Sequence, residues 1–587
     1  MKKLHLRIQL LAIVGAILLL GSCNETPLGG DFLEKPQSSD VTIDTIFSTK
    51  LKAETFLWET YNTNMPNGFP YNWDRYAGGM YASMVMAASD EGDVYDGWPG
   101  SNNVNAGSWG TSYNPEDDFG RHYKGIRNAN IFIENVNRVP DATSQEKARM
   151  KAEAQFLRAL QYFELMKRYG GVPLVDHVLT ASGDVKIPRS TFKQTVDFIV
   201  AYADSAAAVL PNEYEDRNKG RITKGAALAL KGRTLLYAAS PLFNTDDPYV
   251  SASGDTRDLI GYASYDKNRW KVAADANKAV LDWAAGSGWA KLVDDNQDPA
   301  ANYEEAVTDA DNSEMLLVNQ SNGWWGAWWP MFQQFVMPRG MYGGWYGMGV
   351  TLNFTEKYYK TDGTDQVWND SGTGDEYLQK MKEMEPRFQA SVFYSGAKWN
   401  DEYGVVQFYK KSDGSNAPHY PVNGVGYMKK FLTRLGWSGG QVNWPVFRLA
   451  ESYLNYAEAL NEYSPMDQKA YDALNVIRRR AGLPDITSSD SRYNTQGKLR
   501  QAIHRERAVE LAFEAHRIFD VRRWKIAGNE GVMKGEMWGL PLHQLDDGSL
   551  MYDKKVFESR AWDDKMYLYP IPQGEIDKGY ITQNPGW

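Results

Sequence analysis

The chain has 587 residues, too many for one ordinary compact core, so several domains or an extended helical array are expected. Charged residues at 24% and hydrophobic ones at 43% exclude the disordered class, and a formal charge of −10 argues against nucleic acid, whose phosphates require clustered Lys and Arg. The unusual feature is 20 Trp and 35 Tyr, which with Phe make the chain 13% aromatic.

The N-terminus carries Lys2, Lys3 and Arg7 and then a mostly apolar run from Ile8 to Leu20. That is the layout of a signal peptide and too short for a membrane span. It leads into Leu20-Gly21-Ser22-Cys23, which resembles a bacterial lipoprotein processing site, where the cysteine is acylated and becomes the first mature residue. Cys23 is also the single cysteine, so the mature protein can hold no internal disulfide, and lipidation gives this residue a purpose. Residues 1–22 therefore read as a lipoprotein signal peptide, 23–36 as a lipidated tether rich in Gly, Pro and polar residues, and 37–587 as the folded body. No later stretch approaches about 18 uninterrupted apolar residues, so an anchored rather than a spanning protein is expected.

Helices follow. Thr143-Ser144-Gln145-Glu146 fits a capping box, after which Ala152, Phe156, Leu160, Phe163 and Met166 recur at intervals of three and four. Gly170, Gly171 and Pro173 predict its end. Similar periodicity predicts helices over 123–139, 191–209, 223–240, 269–284, 448–462, 468–481 and 498–519. They read as antiparallel pairs, and the alanines at 226, 227, 229, 238 and 239 would let neighbours approach closely. Arg478, Arg479 and Arg480 fall in a last helical turn, where positive charge offsets the negative helix end.

Two aromatic, glycine-rich regions, 62–118 and 320–427, interrupt these helices and hold short alternating pieces such as 405–409. Long irregular segments in a folded protein are commonly functional, and this aromatic density argues against disorder. The fold class is thus mainly α, a scaffold of helix pairs carrying loop-rich, minor-β insertions that form a binding surface.

Several runs resemble the RagB/SusD family of surface glycan-binding lipoproteins of Bacteroidetes. They are KAEAQFLRALQYFELMKRYGGVPLV (151–175), GRITKGAALALKGRTLLYAASPLFN (220–244), WPVFRLAESYLNYAEALNE (444–462), RRRAGLP (478–484), ERAVELAFEAHRIFDVRRW (506–524), YLYPIPQGEI and the terminal TQNPGW. The resemblance implies a tetratricopeptide-like scaffold, a SusC-like TonB-dependent transporter as partner, and placement on the outer face of the outer membrane, in agreement with the lipid signal at Cys23. These runs are scaffold, so the resemblance transfers no binding residue to the aromatic loops.

The site expectation rests on chemistry instead. A sugar ring offers an apolar C–H face and a rim of hydroxyls, which an indole or phenol and neighbouring Asp, Asn or Arg side chains can satisfy. The first region supplies Trp73, Asp74, Arg75, Tyr95, Trp98, Asn102 and Trp109. The second supplies Trp324, Trp328, Tyr342 and Trp345, with Trp325, Trp329 and Tyr346 between glycines that bend the backbone. This second cluster could equally face a transporter or the membrane interface. Near the first cluster Asp74, Asp90, Glu91, Asp93 and Asp96 outnumber Arg75, and Arg339 is the only charge between Gly323 and Gly349, which favours a neutral oligosaccharide. Three stacked rings at about 1 to 2 kcal/mol each would give about micromolar to millimolar affinity after binding costs.

No catalytic constellation is recognisable. There is no G-x-S-x-G elbow, P-loop or H-E-x-x-H run, and the seven His are scattered. Asp117-Asp118 and Glu304-Glu305 read as solvated loop or cap charges rather than a glycosidase pair. Asp294, Asn296, Asp298 and Glu305 are spaced like a calcium loop, but Pro299 occupies the glycine position, so a polar turn is expected there. Neither a metal nor a cofactor is expected. The leading reading is a non-catalytic glycan-binding subunit; a surface glycoside hydrolase and a peptide-uptake lid are the alternatives.

Overall fold

Most of the long helices start where the sequence supplies a side-chain oxygen for an orphan amide. The computed structural model describes residues 42–587 apart from 71–79, 181–182, 184, 216–217, 296, 321–335, 339, 342–343, 346, 402, 421 and 433–441. Along it run α1 (Lys50–Asn64), α2 (Gly100–Asn105), α3 (Phe119–Asn135), α4 (Ser144–Tyr169), α5 (Phe192–Val209), α6 (Lys224–Ala239), α7 (Asn268–Ser287) and α8 (Pro299–Thr308). They are followed by α9 (Gly374–Glu383), α10 (Leu449–Tyr463), α11 (Gln468–Arg480), α12 (Gln496–Glu510) and α13 (Arg517–Arg523). The capping box of Thr143 and Glu146 forms at α4, and Thr191 with Gln194 builds a second one at α5. Gly170 closes α4 with φ at 80°, a backbone that a side chain would strain. Asp298 caps α8 through the Ala300 amide with Pro299 in the first turn, so the calcium-like string is largely a helix start.

Helix α3 packs on α1, each of α4 to α7 packs on the helix before it, α7 also packs on α10, and α10 covers α11 and α12. This is the quasi-linear stacking of helix-pair repeats. The alanine face of α6 does admit a close neighbour: a Cβ on Gly232 would lie 2.6 Å from Asn277 of α7. Asn277 donates to the Gly232 carbonyl at 3.1 Å and accepts from Asn455 of α10, so the contact is polar as well as tight.

The helix expected over 498–519 is two helices. Phe513 and Ala515 adopt left-handed backbone, at φ 63° and 59°, and the intervening turn is held from outside. Its Phe513 amide donates to Glu91 at 2.7 Å, and the Lys430 ammonium donates to the Ala512 carbonyl at 2.8 Å. Asp117 departs from the solvated reading too. It is 3% exposed and accepts from the His122 ring and the Tyr169 hydroxyl, whereas Asp118 does cap α3.

The Arg478–Arg480 run is largely interior. Arg478 and Arg480 are each 2% exposed, and the reason is a buried lattice of ion pairs rather than the helix end alone. Arg480 reaches Glu314 at 2.9 Å and also touches Glu510, while Arg478 reaches Glu506 at 2.8 Å. Arg448 bridges Glu314, Glu510 and Glu514 at 2.8, 2.7 and 2.8 Å. Arg387 adds contacts to Glu385 and Glu506 at 2.6 and 2.7 Å. The network therefore ties α11 and α12 to the segments that carry the sheets.

The strands are short: β1 (Gly92–Val94), β2 (Met315–Asn319), β3 (Met348–Val350), β4 (Ser371–Thr373), β5 (Val392–Phe393), β6 (Tyr409–Lys410), β7 (Gly426–Met428), β8 (Trp444–Arg448), β9 (Gly535–Gly539), β10 (Leu542–Gln544), β11 (Leu550–Asp553) and β12 (Lys555–Arg560). Two four-stranded sheets run β1-β3-β7-β5 and β4-β11-β10-β6, and two ribbons pair β2 with β8 and β9 with β12. The first sheet joins the two aromatic regions of the sequence. Among the described residues no helix is long and apolar enough to cross a membrane.

Candidate functional site

Strand β1 pairs antiparallel with β3, placing Val94 opposite Met348, so Tyr95 leaves the sheet at the same end at which the chain enters it after Trp345. This register brings residues some 250 positions apart to one edge. Tyr95 is 50% exposed, Trp98 44% and Trp345 42%, which is unusual for side chains of this size. The 95–99 loop is tied down at its far side. The Gly100 backbone amide donates to the Tyr81 carbonyl at 2.8 Å, the Asn102 side-chain amide donates to the Asp96 carbonyl at 2.6 Å, and Trp98 meets the Tyr81 ring edge-on at 5.9 Å. A Cβ on Gly100 would lie 2.8 Å from Pro115, so the close seat of α2 requires glycine. The indole of Trp98 is thus held with part of its surface open, a preorganised apolar face.

Tyr420 was not singled out by sequence reasoning and stands beside this edge. Burial raises its hydroxyl pKa, and so does the neighbouring Tyr95. Its only signal was a position between a proline and the glycines leading into β7, shared by many turn residues.

Trp109 corrects the expectation. It is 7% exposed, meets Tyr569 edge-on at 5.0 Å and lies 5.1 Å from Trp587, so its ring is already covered by the C-terminal segment. Trp73, Asp74, Arg75, Trp324, Trp328 and Tyr342 lie outside the described residues, as does Cys23.

Three of the acids near the first cluster do not face a ligand. Asp90 and Glu91 are fully buried and Asp93 is 3% exposed. Asp90 accepts both Arg517 donors at 2.8 and 2.7 Å; burial pushes its carboxyl up, but Arg517 and Lys357 hold it below the usual range. Asp93 accepts from Asn423 at 2.6 Å, and burial with nearby Glu558 pushes it up to about 7. Burial and Asp90 push Glu91 up to about 8, although the Phe513 amide opposes the rise. These three acids support the sheet from within and do not set the field at its surface.

Glu91 yields a signed expectation. A carboxyl raised from 4.5 to about 8 contributes stability that is complete below pH 4.5 and is lost as pH rises through about 8. The urea midpoint of the wild type should therefore fall between pH 4.5 and 8 relative to Glu91→Gln. A difference that stays constant across that window would mean that Glu91 is ionised in the fold.

Two family models match the chain, one described as the SusD family over residues 314–587 and one as starch-binding associating with outer membrane over 31–236. SusD-like protein P2 of Formosa agariphila is 25% identical over 478 residues, covering 79% of each chain. A SusD-like protein of Bacteroides fragilis superposes with a TM-score of 0.75 at 26% identity over 93% of this chain and 99% of its own. Another structure from that organism, titled a SusD-like carbohydrate binding protein, gives 0.67 at 23% identity over 91% and 99%. The helix-pair scaffold matches those folds.

Proposed function

The chain belongs to the SusD/RagB family, and on that premise we propose that it is a non-catalytic glycan-binding subunit that captures oligosaccharide at the cell surface and delivers it to a SusC-like TonB-dependent transporter. The carrying observation is that Tyr95, Trp98 and Trp345, each 42 to 50% exposed, stand within four residues of the Val94–Met348 end of the β1–β3 pair. Exposed rings backed by a fixed turn suit the C–H face of a sugar, and Asn102 beside them suits hydroxyls. The family description that mentions starch and the carbohydrate-binding title of the B. fragilis relative support the same ligand class.

In this reading Trp73, Asp74, Arg75, Trp324, Trp328 and Tyr342 are further candidate sugar contacts. Cys23 carries the lipid, and residues 23–36 let the folded body stand off the outer membrane. Moderate affinity fits capture followed by release, since each ring contributes only about 1 to 2 kcal/mol.

Calorimetric titration with neutral and acidic oligosaccharides, run beside a peptide panel, tests the reading. At least one oligosaccharide should bind with a Kd between about 1 μM and 1 mM and emerge unchanged in length. Binding confined to peptides would refute it in favour of a peptide-uptake lid, and shortened products would make the protein a hydrolase.

A further inference from the structure

A cavity of about 760 Å³ lies among α6, α7, α10, α12 and α13, and none of its lining residues is Tyr95, Trp98 or Trp345. Its size falls within the span of about 300 to 1,000 Å³ usual for small-ligand sites. Its aromatic wall is built from Trp524, on which His504 lies flat, with centroids 3.6 Å apart and planes at 11°. The Trp524 N–H donates to Glu458 at 2.8 Å, which fixes that indole.

Three lining groups have hydrogen-bonding capacity left over. The His504 ring makes no hydrogen bond among the described residues and is 20% exposed; burial holds it neutral, down to about 3. It therefore offers one donor and one acceptor. The Lys357 ammonium lies 3.4 Å from Asp90, whose oxygens already take both Arg517 donors. Gln501 is exposed at the rim, and its amide has no partner among the described residues. Beside it Tyr265 is 48% exposed, and there its ring makes no aromatic or cation–π contact among the described residues.

A flat ring, a neutral imidazole, an amide and a spare ammonium around one hollow match a compact polyol. An apolar ligand would leave these polar groups unsatisfied. A polyanion would meet Glu356, Glu458 and Glu462 in the same wall, where Arg500, Arg505 and Arg517 are already paired with Glu462, Asp365 and Asp90. We propose that this cavity is a second, separate binding site for a mono- or disaccharide, with Tyr265 as the stacking ring and His504, Gln501 and Lys357 taking the hydroxyls. The choice of a sugar over other small polyols rests on the glycan-binding reading above.

The test uses the full folded body carrying Trp98→Ala and Trp345→Ala, which silences the loops, and glucose, galactose, mannose, xylose, maltose and cellobiose as probes. Saturation-transfer NMR and calorimetry should detect at least one of them bound to this variant. Adding Tyr265→Ala or Gln501→Ala should weaken that binding about tenfold or more, with the melting temperature unchanged because both side chains are exposed. If no probe binds the loop variant, or if neither added substitution changes the affinity, the cavity proposal is overturned. Should the wild type meanwhile bind an oligosaccharide that the loop variant does not, the capture reading survives that result. Conversely, binding that depends on Tyr265 but not on the loop tryptophans supports the cavity while counting against the loop site.

Discussion

Arg448→Met is expected to destabilise the protein by about 3 to 5 kcal/mol, read as a large drop in the urea midpoint of tryptophan fluorescence. The side chain is 2% exposed and has three carboxylate partners, Glu314, Glu510 and Glu514. Burial raises the Glu510 carboxyl, but Arg480, Arg448 and Arg387 together hold it far below the usual carboxylate range. Removing Arg448 leaves Glu514 with Lys430, and Glu314 with Arg480, each in a site built for more positive charge. Methionine restores some volume but none of the charge. A buried pair adds little over a well-packed apolar substitute, yet removing one partner strands the others, and that asymmetry sets the size of the effect. As a control, Lys278→Met breaks an exposed i,i+4 pair with Asp282 and should leave the midpoint where it was. A comparably small shift for Arg448→Met would mean that the lattice relaxes or admits water.

Replacing Trp98 and Trp345 together by alanine should weaken the best-binding oligosaccharide about 100-fold, with each single change giving about tenfold. That follows from about 1 to 2 kcal/mol per stacked ring. Both rings are more than 40% exposed, so the melting temperature should move little. Trp109→Ala provides the opposite pattern. Its ring is packed on Tyr569 and Trp587, so it should cost about 3 to 5 kcal/mol of stability and leave the affinity of the folded protein unchanged. Titration of the four variants separates a binding ring from a packing ring. Equal affinities for the wild type and the Trp98→Ala, Trp345→Ala double variant would remove both from the site.

Local signals in the sequence carried furthest. Thr143 with Glu146, and the glycine after Tyr169, delimit a helix because caps act within one turn of chain. The break after Glu510 was not legible, since the chain there is periodic and helix-compatible. What interrupts it are contacts from Glu91 and Lys430, both distant in sequence. The same blindness affected charge. Asp90, Glu91 and Asp93 look like a loop's acidic face until Arg517, Phe513 and Asn423 arrive from elsewhere to bury them. Aromatic rings posed the matching problem: Trp98 and Trp109 stand in similar glycine-bounded contexts, and only the placement of the C-terminal Trp587 and Tyr569 separates the open ring from the covered one. The convergence of Tyr95 and Trp345 depends on the β1–β3 register, which strands of three residues do not announce.

A crystal structure with the tightest-binding oligosaccharide tests the central claim most directly. Sugar density should lie flat against the exposed faces of Trp98 and Trp345 with Tyr95 alongside. Occupancy of any other surface, with the exposed faces of those rings still open to solvent, would contradict the account.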